Sequence, residues 1–166
     1  MPSCSLVVHD IRSCYNVGSL FRAADGLGVI KIYLTGYTPY PVHDKDVRLP
    51  YLAQKITHQI HKTALGAEQT VPWEHTENIL NLISLLKAKN YQLVGLEQTP
   101  HSIPLQKFRP RSKLALIIGK EVGGIDPEIL KLTDSIIEIP MAGKKDSFNV
   151  AQATVIALYY IKHLSY

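Results

Sequence analysis

The chain has 166 residues, of which 46% are hydrophobic and 19% charged, with a formal net charge of +4. These proportions exclude wholesale disorder and suit one domain that buries roughly 70% of the surface of its unfolded chain, without disulfide or metal staples. No apolar run approaches the roughly 20 residues of a membrane helix, the first residues carry no signal-peptide pattern, and Cys4 and Cys14 read as reduced thiols of a cytoplasmic protein.

In chain order, short β-rich runs alternate with helical ones. Ser5 to His9 reads as a strand, and Val17, Leu20, Phe21, Ala24 and Leu27 recur at helical spacing over Asn16 to Leu27, with Gly28 to end the helix. Val29 to Leu34 is a β-branched run, hence a second strand. Thr35 to Pro50 holds three prolines and a glycine and reads as a loop, and Leu52 to Lys62 as a helix. Thr76 is placed as the cap of a helix running to Lys89, with Asn90 as its stop. Gln92 to Leu96 and Lys113 to Ile118 read as strands, the latter apolar enough to be central. Asp126-Pro127 opens a short helix to Leu132. Ser135 to Ile139 is the last strand, and Asn149 to Leu164 a long terminal helix. Trp73 reads as a packing residue.

Such alternation predicts an α/β domain with a largely parallel sheet. Ligands of such sheets bind at the carboxyl ends of the strands. Three loops fit that position: around Glu97, Gly119 to Gly124, and Pro140 to Ser147. The second is neither a Walker loop nor a G-x-G-x-x-G turn, and alone it reads as a tight turn with Glu121 exposed. In the third, Ser147 or Asn149 reads as a helix cap. Asn16 and Arg22 read as a cap and a surface arginine, yet the apolar setting of Phe21 and Ala23-Ala24 favours a specific anionic partner for Arg22. The basic stretch Lys107, Arg109, Arg111, Lys113 reads as a solvated surface unless it tracks a phosphate backbone.

Taken together, three segments resemble the motifs of the SpoU/TrmH family of RNA 2′-O-ribose methyltransferases, in the SPOUT superfamily. Asn16-Val-Gly-Ser-Leu-Phe-Arg22-Ala resembles the first motif, Leu116-Ile-Ile-Gly-Lys-Glu121-Val-Gly-Gly-Ile the second, and Ile139-Pro-Met through Ser147-Phe-Asn149-Val-Ala the third. The segments fall in the right order over nearly the whole chain. Lys120 and Phe148 stand where Asn and Leu are commoner, and neither removes a proposed catalytic group.

The resemblance implies a SPOUT fold, a Rossmann-like, mostly parallel sheet with a C-terminal trefoil knot. It implies a single domain over 1–166 with no RNA-binding extension. It further implies S-adenosylmethionine (SAM) bound in the knot, a homodimer that shares each RNA site between subunits, and methylation of a ribose 2′-OH in tRNA or rRNA. A non-catalytic RNA-binding module of the same fold is the alternative, against which the retained Asn16, Arg22, Glu121, Ser147 and Asn149 argue. Those five are the implied catalytic residues. Arg22 would act on the reacting hydroxyl, Asn16 and Glu121 would orient the ribose and Arg22, and Ser147 and Asn149 would shape the third motif. Leu96, Glu97, Gly119, Ile139, Met141 and Phe148 would form the adenosine pocket. Because the methyl group leaves a sulfonium, no metal is expected, and no membrane partner.

Overall fold

The computed structural model describes residues 1–164. Seven strands form one sheet of order β3-β2-β1-β6-β4-β7-β5, and every pairing is parallel. They are β1 (Ser3–His9), β2 (Lys31–Thr35), β3 (Trp73–Thr76), β4 (Gln92–Leu96), β5 (Ile103–Pro104), β6 (Lys113–Ile118) and β7 (Ser135–Glu138). The helices are α1 (Cys14–Gly26), α2 (Pro50–Ala64), α3 (Ala67–Thr70), α4 (Ile79–Ala88), α5 (Pro127–Leu130) and α6 (Val150–Tyr159), the last running into a π-helical turn over Tyr160–Leu164.

Strand periodicity sorts side chains between two cores. Leu6, Val8, Ile32, Leu34, Leu114 and Leu116 face one way, under Val17, Leu20 and Phe21 of α1 and Ala157 and Leu158 of α6. Val7, Tyr33, Leu93, Ala115 and Ile117 face the other, under Ile79, Leu82, Ile83 and Leu86 of α4 and Ile129 of α5. Because β6 is covered on both faces, its run Leu114 to Ile118 is buried throughout. Gly18 lets α1 meet α2: a Cβ there would strike the Ile60 carbonyl and the Thr63 hydroxyl.

Several expectations are corrected. Thr76 ends β3 rather than capping a helix, and Asn78 caps α4 by accepting from the Asn81 N–H at 3.1 Å. Strands β3 and β5 add to the five strands expected; one is half-buried along its length and the other has two residues, so neither carries a clear alternation in sequence. Trp73 packs against the core and meets the Phe21 ring edge-on at 6.4 Å.

The termini are tied together. Buried Lys162 donates from Nζ to the carbonyls of Pro2 at 3.3 Å and Gly28 at 3.0 Å. Burial pushes the nearby Cys4 thiol up to about 12, although the Lys162 charge opposes the shift, so Cys4 is an inert core residue. Both cysteines are free thiols. Among the described residues, no helix is long and apolar enough to cross a membrane.

Candidate active site

The carboxyl ends of the adjacent strands β6, β4 and β7 open into a cleft of about 620 Å³. Leu96, Glu97, Gly119, Ile139 and Phe148, five of the six residues that the resemblance implies for the adenosine, line it. Met141 does not: on that side the lining passes from Ile139 to Ser147 and leaves the intervening loop out.

The loop after β6 is rigid for local reasons. Lys120 N–H donates to the Gly124 carbonyl at 3.1 Å, and Gly124 has a φ of +63°, which suits glycine. Glu97 braces the turn from beneath: Oε2 accepts from the Ile125 N–H at 2.8 Å and Oε1 from the Gln98 N–H at 2.9 Å. Its side chain is therefore committed to the loop. The third loop is clipped to the cleft wall where Gln98 Nε2 donates to the Asp146 carbonyl at 3.0 Å.

Three residues from three distant segments meet at the cleft margin. Glu121 accepts from the backbone N–H groups of Arg12 and Ser13, each at 3.1 Å, and from Asn16 Nδ2 at 3.1 Å. Asn16 Oδ1 in turn accepts from Asn149 Nδ2 at 3.2 Å. The direction of this chain follows from the cap of α6. Asn149 Oδ1 accepts from the N–H of Ala151 at 2.9 Å, so its amide nitrogen faces Asn16. Burial raises the Glu121 pKa, but the donors from Arg12, its own loop, Ser13 and Asn16 outweigh that and leave it below its usual value of 4.5.

The sign of the linkage is clear. A depressed carboxyl stabilises the fold above its unfolded pKa, and that contribution fades as pH falls below about 4.5 through the lower folded value. Glu121→Gln turns one acceptor oxygen into a donor facing N–H groups. At neutral pH it should cost about 1–2 kcal/mol, discounted for partial exposure. Paired denaturant titrations should show that deficit at pH 7 and a much smaller one at pH 3.

Arg22 and Ser147 stand apart from this chain. Ser147 lines the cleft, but no hydrogen bond joins it to Asn16, Glu121 or Asn149 among the described residues. Arg22 is exposed on α1, one turn beyond Ser19, and lines neither the cleft nor the recess beside Asn16. Its neighbour Ser19 instead borders a shallow depression against Phe148, Val155 and Ile156.

The basic stretch from Lys107 to Lys113 leads into the start of β6, the end of the strand remote from the cleft. Arg109 Nη1 bonds the Phe108 carbonyl at 3.0 Å and the Tyr160 hydroxyl at 2.9 Å, and Lys113 Nζ the Lys89 carbonyl at 3.0 Å. These contacts fit a structural, solvated surface.

Sequence reasoning missed the loop after β1. Arg12 and Ser13 provide two of the Glu121 donors, and their position after a central strand was the available signal. Behind them, His9, Asp10 and Asp126 place ligand-type atoms within 4.8 Å of one another. Lys120 Nζ already supplies a cation there, 2.6 Å from Asp126 Oδ1. Burial holds the His9 pKa down, against the charges of Asp10 and Asp126, and its Nδ1 lies 2.9 Å from the Thr35 hydroxyl.

Comparison with known proteins finds relatives of one kind. A 25%-identical relative, the tRNA (guanosine(18)-2'-O)-methyltransferase of Borreliella burgdorferi, aligns over 93% of this chain and 64% of its own length. The 23S rRNA (guanosine-2'-O-)-methyltransferase RlmB of Escherichia coli is 29% identical over 93% of this chain and 57% of its own. The chain thus spans about three-fifths of the length of these curated relatives. The AdoMet-bound rRNA methyltransferase of Sinorhizobium meliloti has the same fold, with a TM-score of 0.80 at 23% identity over 98% of this chain and 57% of that one. The family model described as SpoU rRNA Methylase matches residues 3–159, a stretch that holds all three strand-end motifs joined through Asn16, Glu121 and Asn149. The chain belongs to the SpoU rRNA methylase family.

Proposed function

We propose that this chain transfers a methyl group from SAM to a ribose 2′-OH of tRNA or rRNA. The carrying observation is the hydrogen-bonded chain Glu121–Asn16–Asn149 at the rim of a strand-end cleft able to hold a nucleoside. The donor set suits SAM. Leu96, Ile139 and Phe148 offer apolar walls, and Gly119, Gly123 and Gly124 offer backbone without side chains. When bound, SAM supplies an electrophilic methyl group on a sulfonium.

The chain's own residues do the rest. Glu121 is ionised at neutral pH and poor at taking a proton, since its pKa is depressed. Its task is to hold Asn16 and the Arg12–Ser13 backbone so that the ribose meets a fixed polar edge. Asn149 fixes the other side of Asn16. Arg22 supplies a cation that stabilises negative charge developing on the attacking oxygen. Relatives named for guanosine 2′-O-methylation of tRNA and of 23S rRNA support an RNA substrate. Isotope-labelled SAM, incubated with total RNA, should label a ribose 2′-oxygen; absence of transfer would overturn the reading.

The working unit is a homodimer in the cytoplasm, carrying the trefoil knot of its family. Val155, Ile156 and Tyr159 of α6 are 41%, 38% and 50% exposed, while Leu158 and Ile161 on the other side are buried. A second copy would cover that apolar face. It would also bring a second chain against Arg22, which reaches no cleft of its own. Light scattering at micromolar concentration should give twice the chain mass, and a monomer would defeat the assembly.

A further inference from the structure

A second recess, of about 600 Å³, lies beside the cofactor cleft and shares Lys120 and Glu121 with it. Asn16 also lines it, and Arg12, Ser13, Tyr37 and Val122 complete it. Tyr37 is 52% exposed and Val122 is 88% exposed, and neither belongs to either core. Yet the Tyr37 backbone is held firmly. Its N–H donates to Asp10 Oδ1 at 3.1 Å, and the preceding Gly36, at a φ of +64°, donates to the Thr76 carbonyl at 3.2 Å. The fold therefore presents an aromatic ring to solvent from a fixed turn.

The charges around the ring differ in kind. Lys120 is paired with Asp126 at 2.6 Å. The Arg12 guanidinium has no carboxylate partner among the described residues and lies 5.7 Å from the Tyr37 ring centroid. Its backbone N–H, like that of Ser13, donates to Glu121. An exposed ring, an apolar flap and an unneutralised guanidinium at one margin form the kind of surface that holds unpaired nucleotides, by stacking and by phosphate contact.

We infer that this recess holds one unpaired nucleobase of the RNA strand, stacked on Tyr37, with Arg12 on the neighbouring phosphate. The inference rests on the methyl-transfer reading for the course of the strand past Glu121. Stacking on an aromatic side chain tolerates any base, so Tyr37 contributes affinity and strand placement rather than base identity.

Filter binding of end-labelled total RNA, with SAM calorimetry alongside, tests this. Tyr37→Ala should weaken RNA binding about 10- to 100-fold and leave both the salt slope and SAM affinity as they were. Tyr37→Phe keeps the ring and should recover most of that loss. Arg12→Ala should weaken binding and reduce the salt slope by about 0.7, as loss of one single-strand phosphate contact does. In Tyr37→Trp, RNA should quench the introduced indole while the emission of parental Trp73 stays unchanged. Parental affinity in Tyr37→Ala, or an unquenched indole, would overturn the inference. RNA binding that depends on Tyr37 without any methyl transfer would sustain the recess and defeat the enzymatic reading instead.

Discussion

Replacing Arg22 with alanine is expected to lower single-turnover methyl transfer by on the order of 10²-fold or more, while SAM affinity stays near the parental value. Arg22 lies outside the cleft that would hold SAM, so its loss leaves the cofactor walls intact. It has no carboxylate or carbonyl partner among the described residues, so its charge is available to a substrate. Arg22→Lys should rescue poorly, since an ammonium cannot copy a bidentate guanidinium. Single-turnover rates with saturating RNA separate this step from binding. Rates near parental in Arg22→Ala would remove the residue from the mechanism. A loss confined to RNA affinity would make it a phosphate anchor.

Its position adds a second, sharper outcome. If Arg22 serves the partner's cleft across the α6 face, Arg22→Ala and a cofactor-site variant should each be inactive alone. Mixed heterodimers should then recover part of the parental rate, because one of their two composite sites is whole. No recovery on mixing would assign Arg22 to its own chain.

Gly119→Val should abolish measurable SAM binding, a loss on the order of 10²-fold, and destabilise the fold by about 1–3 kcal/mol. A Cβ at 119 would lie 2.5 Å from the Gly124 carbonyl carbon and oxygen and 2.6 Å from the Ile125 nitrogen. These are backbone atoms of the turn that Glu97 braces, and they cannot swing aside as a flexible side chain would. The damage therefore falls first on the loop and through it on the ligand. Even Gly119→Ala carries the clash. Calorimetric titration with SAM, alongside circular dichroism to verify the fold, checks the prediction; parental SAM affinity in Gly119→Val would misplace the pocket.

The apolar periodicity of α1, the continuous β6 run and the Asp126-Pro127 start of α5 were all legible, because each depends on local pattern and backbone chemistry. The edge strands β3 and β5 were not. Pairing at a sheet edge draws on hydrogen bonds to a neighbour distant in sequence, and a half-buried strand leaves little alternation to read. Thr76 shows the ambiguity well: a Thr ahead of an apolar run looks like a helix cap, and only the parallel partner Thr35 reveals it as the end of a strand.

The sequence by itself determined the α/β alternation and the strand-end loops around Glu97 and Gly119 to Gly124, since spacing along one chain records which groups leave which strand. Only the tertiary structure decided which of those groups touch. Asn16 meets Glu121 from 105 positions away and Asn149 from 133, whereas Arg22, six residues from Asn16, points elsewhere. The physical reason is the parallel sheet. It gathers the carboxyl ends of strands far apart in sequence into one margin, and the helical turn from Asn16 to Arg22 then rotates near neighbours onto different faces.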